Sequence, residues 1–217
     1  MYDVITVGSA TVDVFARTKF SELIKIIDPK GEIDLLAYPS GSKILIEELD
    51  FTTGGGGTNT AVGLARLGHK TAFIGKLGQG TNSDFIHKEL VKEKVELLCS
   101  HGKGNSGYSV ILDNLEHDRT ILTYKGINDE LKFNEIPLKK LKTKWFYFCA
   151  MMNESFTTLE KLAEFAEEHK IKILFNPSSY LAEKGKLHLK HILSRTEILI
   201  LNKEEACLLA GKNEIEG

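Results

Sequence analysis

Short runs rich in β-branched and aromatic residues alternate along this chain with amphipathic stretches of helical period, and few folds accommodate that rhythm. Val4–Gly8 reads as a first strand. Asn59–Leu67 reads as a helix stopped by Gly68, because glycine accepts the left-handed turn at a helix end. A strand over Thr71–Gly75 and a helix over Ser83–Glu93 follow, with Ile86, Leu90 and Val91 at helical spacing. The pattern resumes with strands expected at Trp145–Cys149, Ile171–Asn176 and Ile198–Asn202. Helices are expected at Thr157–His169, Leu187–Leu193 and Lys203–Ala210. Such alternation implies βαβ units, hence an α/β fold with a doubly wound, mostly parallel sheet and helices on both faces.

Two stretches break the rhythm. Glu32–Glu48 (IDLLAY and KILIEE around PSGS) and Tyr108–Tyr124 (YSVILD and DRTILTY around a polar turn) both alternate without helical period. Each is expected to be a hairpin of a small antiparallel lid. With no internal repeat or low-complexity linker, the expectation is one α/β domain over residues 1–217, carrying lid hairpins at about 32–48 and 108–124.

The 217 residues are 42% hydrophobic and 27% charged with a formal net charge of -2, enough to bury a sizeable core. No basic stripe stands out, so nucleic acid is not an expected partner. The opening MYDVITVGSATVDVF lacks a basic start, and Asp3 and Asp13 interrupt its apolar run, so it does not read as a signal peptide. The longest strongly apolar run, Trp145 to Met152, is too short to span a bilayer, so no membrane association is expected. Cys99, Cys149 and Cys207 are odd in number, far apart and without metal-ligand spacing, which fits free thiols in the cytoplasm.

Two glycine-rich segments are decoys. GKGNSG at 102–107 fits the dinucleotide pattern, but a β-like segment rather than a helix follows it. GLARLGHKT at 63–71 is similar to a phosphate-binding loop, but His69 interrupts the Gly-Lys pair, and the match lies within and after a helix instead of before one. The informative segment is GGGGTN at 54–59, directly ahead of a helix. Four residues without Cβ would let a ligand approach backbone N–H groups, a helix start adds donors, and the Asn59 amide can both donate to and accept from hydroxyls. A plain loop capped by Asn59 is the competing reading. Asp13, five residues beyond the first strand, should lie near the carboxyl edge of the sheet, where open α/β sheets bind ligands; alone it could equally be a solvated loop acid. Asn202 and Glu205 are three apart at a strand–helix junction, which reads as a capping box.

The order of GSATVD, GGGGTNTAVGLARLGHKTAFIGKLGQG, ILTYKGIN, FNPSS and ILNKEEACLLAG resembles the N-terminal part of the ribokinase-like, or PfkB-type, carbohydrate kinases. The resemblance implies ATP-dependent phosphorylation of a sugar or nucleoside hydroxyl. It further implies that Asp13, Gly54, Gly55 and Asn59 bind the acceptor. Asn202 and Glu205 match the family's N-x-x-E element, in which the pair helps order Mg²⁺ through water together with the nucleotide phosphates. One carboxylate suffices for that, because Mg²⁺ retains several waters. A capping role and this one are compatible. Asn176 resembles a position near the phosphates. The lid suggests a homodimer, since relatives pair through such lids.

Two departures qualify the resemblance. The family's catalytic base lies in a GAGD-type loop, and no such stretch occurs in the sequence, so no catalytic residue is assigned and the base is expected beyond Gly217. The chain then reads as a fragment or an incomplete gene product, inactive alone, and a non-catalytic sugar- or nucleoside-binding protein on the same scaffold is the alternative. Gly56 stands where ribokinases usually carry Lys, and Thr11 where they carry Asn, so ribose is not singled out as the substrate.

Overall fold

A computed structural model describes residues 1–28, 31–113 and 119–212. The chain divides into two compact units: Met1–Val12, Thr53–Gly107 and Lys125–Gly217 form the first, and Asp13–Thr52 with Tyr108–Tyr124 form the second.

In chain order the strands and helices are β1 (Tyr2–Val7), β2 (Thr11–Arg17), β3 (Glu22–Asp28), β4 (Gly31–Ala37), β5 (Glu48–Gly54), α1 (Gly56–Arg66), β6 (Thr71–Ile74), β7 (Lys76–Leu77), α2 (Thr81–Lys92), β8 (Glu96–Leu97), β9 (Ser100–His101), β10 (Gly107–Asp113), β11 (Arg119–Tyr124), β12 (Thr143–Cys149), α3 (Asn153–Glu168), β13 (Lys172–Asn176), α4 (Ser178–Ala182), α5 (Gly185–Leu193), β14 (Ile198–Leu199) and α6 (Lys203–Ala210).

The first unit is built on a six-stranded sheet in the order β14-β13-β12-β1-β6-β8, and every pair in it is parallel. One face carries Ile5, Val7, Phe146, Phe148, Ile173 and Phe175. These pack against Leu159, Leu162, Ala163 and Ala166 of α3 and Leu189 and Ile192 of α5, all inside one core cluster. Fully burying each large side chain contributes about 1.5–3 kcal/mol, which is why an apolar stripe of helical period on α3 dictates this docking. On the other face α1 covers β1 and β6, while Val4, Leu64, Trp145, Tyr147, Leu174 and Ile198 line a cleft of about 380 Å³. The doubly wound α/β fold expected from the sequence is the one observed. Among the described residues no helix is long and apolar enough to cross a membrane.

A buried cation braces this unit. Lys76 is 6% exposed, and its ammonium donates to both Glu135 carboxylate oxygens (2.8 and 3.0 Å) and to the Glu130 carbonyl (2.9 Å). Burial alone would raise the Glu135 carboxyl, but hydrogen bonds from Lys76, the Lys132 N–H and Ser100 outweigh it and hold the group below the usual carboxylate range. A depressed folded-state pKa contributes stability that is full above the unfolded value, about 4.3, and lost as pH falls through the folded one. Glu135→Gln is therefore expected to flatten the acid limb of the stability–pH curve, which urea melts at a series of acidic pH values would read.

The second unit contains a four-stranded sheet, β11-β10-β2-β5, and a separate two-stranded sheet, β3-β4. β10 and β11 are antiparallel, with Tyr108 opposite Tyr124, where the second hairpin was expected; its turn lies outside the described residues. The first hairpin differs from the expected one. β4 pairs with β3, with Ile24 opposite Leu35 and Ile26 opposite Ile33, and not with KILIEE. Residues 43–47 form no strand: Leu45 accepts from the Thr18 hydroxyl (2.9 Å) and the Glu47 N–H donates to Arg17 (2.9 Å). The pairing was hidden because Leu23, Ile24, Ile26 and Ile27 flank a single Lys25 and give no period of two.

Candidate active site

The glycine segment works differently from the expectation. The N–H groups of Gly57 and Thr58 donate to the Ser9 carbonyl (3.2 and 3.4 Å), and that of Gly56 donates to the Ser9 hydroxyl (3.3 Å). These donors are committed to the chain itself and not held ready for a ligand. The glycines are needed for close approach. A Cβ on Gly55, whose φ is +99°, would lie 2.4 Å from the Ser9 carbonyl oxygen; one on Gly57 would lie 2.6 Å from Phe73 and 2.8 Å from Gly8. α1 is thus pressed backbone to backbone on the end of β1, and the Thr6 hydroxyl seals the contact by donating to the Gly57 carbonyl (2.9 Å). Gly55, not Asn59, occupies the N-cap, and Asn59 stands exposed in the first turn, its N–H donating to the Gly55 carbonyl (2.9 Å). Gly54 accepts from the Thr58 hydroxyl.

Asn176 ends β13, and its amide donates to the Ile200 carbonyl (2.9 Å), tying that strand end to the segment leading into α6. Asn202 caps α6: its side chain accepts from the Glu205 N–H (2.7 Å), and a Glu205 carboxylate oxygen accepts from the Asn202 N–H (3.1 Å). The capping box read from the sequence is present. It holds Asn202 and Glu205 together, with the second Glu205 oxygen outside the box, while the Asn176–Ile200 bond ties Asn176 to the same end of the sheet.

All strands of this sheet run parallel, so Ser9 after β1, Cys149 at the end of β12, Asn176 at the end of β13 and Asn202 beyond β14 share its carboxyl edge. The chain winds outward in one direction from β1 through β6 to β8 and in the other from β12 through β13 to β14. The switch point lies between β1 and β12, the place where open α/β sheets bind ligands. There a Cβ on Gly56 would meet the Cβ of Cys149 at 3.0 Å. Burial pushes the Cys149 thiol up to about 12, so it is a packing group and not a nucleophile. Two non-glycine residues at this edge, Asn153 (φ 52°) and Ser178 (φ 53°), hold left-handed conformations at the starts of α3 and α4, a strain that tends to gather at functional sites. Burial raises the Asp129 carboxyl at the same edge, against the pull of Lys125. The 380 Å³ cleft instead reaches Asp3 and Lys144 near the strand starts and takes no part in this arrangement.

Asp13, expected near the carboxyl edge of the sheet, is the third residue of β2 and the first of the second unit, half-buried between Val12 and Val14. Val12, Val14 and Ala16 turn inward and alternate with the less buried Asp13 and Phe15, a strand period that rules out the competing reading of a solvated loop acid. Within the first unit the structure gathers Gly54, Gly55 and Asn59 at one place on the carboxyl edge and Asn176, Asn202 and Glu205 at another. The sequence reading missed Ser9, which receives the glycine loop, and Asn128, whose amide pairs with the backbone of Ala10.

No cluster of three or more His, Cys, Asp or Glu side chains with metal-site geometry occurs among the described residues. A lone carboxylate in a helix's first turn, half engaged with backbone, suits a Mg²⁺ that arrives on nucleotide phosphates and keeps its waters, not a protein-caged ion.

Three comparisons bear on this geometry. The family model described as pfkB family carbohydrate kinase matches residues 21–217. A sugar kinase of uncharacterised specificity from Archaeoglobus fulgidus is 26% identical over 158 residues, covering 70% of this chain and 62% of that protein. A ribokinase of Staphylococcus aureus is 26% identical over 212 residues, covering 96% of this chain and 63% of that one. The chain therefore spans somewhat under two thirds of the length of these relatives. Among solved structures, the ribokinase of Giardia lamblia superposes with a TM-score of 0.79 at 19% identity, over 99% of this chain and 62% of its own, a likeness of fold.

Proposed function

Because this chain belongs to the pfkB family of carbohydrate kinases, we propose that it serves ATP-dependent phosphoryl transfer to a hydroxyl of a sugar or nucleoside, supplying the acceptor side and part of the phosphate side. The observation that carries the proposal is the placement of the glycine junction and the Asn176–Asn202–Glu205 cluster on one carboxyl edge, flanking the switch point of a parallel sheet. In this reading the Asp13 carboxylate accepts from acceptor hydroxyls, and Asn59, held by the Gly54–Gly55 turn, adds an amide that both donates and accepts. Asn176 and Asn202 face the nucleotide phosphates with neutral donors. Glu205, through its oxygen outside the capping box, would hold water for a Mg²⁺ carried on the phosphates. Bound Mg²⁺–ATP supplies the phosphoryl group and offsets part of its charge. The three cysteines are all free, which favours a reducing, cytoplasmic setting. A melting-temperature screen over D-ribose, D-fructose, fructose phosphates and adenosine tests the reading. A dose-dependent rise with at least one is expected, and no rise with any would contradict it.

A non-catalytic sugar- or nucleoside-binding protein on the same scaffold is the alternative reading. Sugar binding without turnover under any pairing of this chain with kinase segments would select it.

The proposal extends to assembly. Ile24, Ile26, Ile33 and Leu35 cover one face of the β3–β4 hairpin and are all exposed, while Lys25, Glu32 and Asp34 form ion pairs on the other. An isolated two-stranded hairpin is marginal in water. A second copy, bringing an identical apolar face, would cover it as the lid of a homodimer. Ile33→Lys is expected to shift sedimentation at micromolar concentration from dimer to monomer; a wild-type monomer would remove the dimer.

A further inference from the structure

The chain passes between its two units at four places: Val12 to Asp13, Thr52 to Thr53, Gly107 to Tyr108 and Tyr124 to Lys125. One buried side chain adjoins three of them from within the first unit. Asn128, 2% exposed, accepts from the Ala10 N–H (2.9 Å) and donates to the Ala10 carbonyl (2.9 Å), reading that residue as a neighbouring strand would. Its second amide hydrogen goes to the Lys125 carbonyl (2.9 Å). Gly107 is glycine against the same group, since a Cβ there would lie 2.4 Å from the Asn128 amide nitrogen and 2.9 Å from the Ala10 carbonyl oxygen. No other side chain of this size offers a donor and an acceptor side by side; aspartate lacks the donor and leucine lacks both.

The segment so gripped has two duties. Ser9, next to Ala10, receives the N–H groups of Gly56, Gly57 and Thr58. Asp13 follows Ala10 by three residues along β2. Asn128 is itself anchored on its far side, where the Ser155 hydroxyl donates to its carbonyl (2.7 Å) and accepts from the Leu131 N–H (2.8 Å). From this geometry we propose that Asn128 is the positioning residue of the acceptor site. It fixes Ser9 and Ala10 to the core of the first unit, so that the glycine junction keeps its seat on Ser9 and the strand carrying Asp13 starts from a held residue, without Asn128 touching substrate. The inference rests on the proposed acceptor role of Asp13, but the Asn128 grip on Ala10 can be read without any ligand.

The test compares Asn128→Ala with Ser155→Ala, which loosens the same turn from the side away from Ala10. Amide hydrogen exchange at Ala10, thermal melting, and calorimetric titration with D-ribose, D-fructose and adenosine are measured on each. In Asn128→Ala the Ala10 amide is expected to exchange about tenfold faster or more, and the affinity for whichever probe binds wild type to fall by about tenfold or more. Ser155→Ala is expected to lower the melting temperature with neither change. Wild-type affinity in folded Asn128→Ala, or an equal loss in Ser155→Ala, would overturn the proposal. Should Asn128→Ala fail to fold, Asn128→Asp retains the acceptor for the Ala10 N–H. Protected Ala10 with weakened probe binding is then expected, and unchanged binding would overturn the proposal. If no probe binds wild type, the proposed function fails, and Ala10 exchange still decides the grip: unchanged Ala10 protection in Asn128→Ala overturns it.

Discussion

Gly57→Ala is expected to destabilise the protein by about 2–3 kcal/mol, whereas Gly63→Ala, two turns along the same helix, should stabilise it by about 0.5–1 kcal/mol. At Gly57 the added methyl would stand 2.6 Å from Phe73, which is fully buried, and 2.8–2.9 Å from the backbone of Gly8, which has no side chain to move aside. Gly8 is constrained reciprocally, its own Cβ position lying 2.7 Å from the Gly57 nitrogen. Relief would require α1 to lift from the end of β1 and lose the bonds to Ser9. At Gly63 nothing lies within 4 Å of the Cβ position, so only the entropic benefit of alanine in a helix remains. Urea melts of both variants check the pair. Equal effects would mean that the glycine segment is a generic loop and not a packed junction.

The 217-residue chain by itself is expected to show no measurable sugar-dependent release of ADP. Phosphoryl transfer is catalysed mainly by positioning and by charge stabilisation, with a carboxylate at the acceptor hydroxyl. In the proposed function Asn176, Asn202 and Glu205 gather phosphates and Mg²⁺, but the 217 residues alone contain no GAGD-type stretch of the kind expected to bring a base and backbone donors to the transferred group. Each missing donor of that kind costs about 10²–10³ in rate. A coupled assay reads this directly. Joining the chain to the segment of the S. aureus ribokinase that it does not match is expected to produce turnover.

The parallel core was legible because its signals are local. α3 shows its apolar face at helical spacing, and the Asn202–Glu205 box announces the start of α6 within four residues. The second unit was harder. β3 is apolar on both sides at Leu23, Ile24, Ile26 and Ile27, so its pairing with β4 depends on tertiary contact. The glycine segment was legible as the lead into a helix, but the partners of its N–H groups were not. Which groups its N–H donors meet depends on Ser9, nearly fifty residues away (|i−j| = 47 for the Gly56 bond), and no local pattern encodes that. Asn128 was invisible for the same reason: its partner Ala10 is 118 residues distant.

Asp13 is the proposed acceptor-binding carboxylate. Calorimetric titration of wild type and Asp13→Asn, with the sugar or nucleoside that most raises the melting temperature, tests it most directly. Hydrogen bonds to a charged group contribute about 1.5–3 kcal/mol, so the variant is expected to bind roughly 10- to 150-fold more weakly at an unchanged melting temperature. Equal affinity in the two proteins would remove Asp13 from the site and, with it, the reading of this chain as the acceptor-binding part of a carbohydrate kinase.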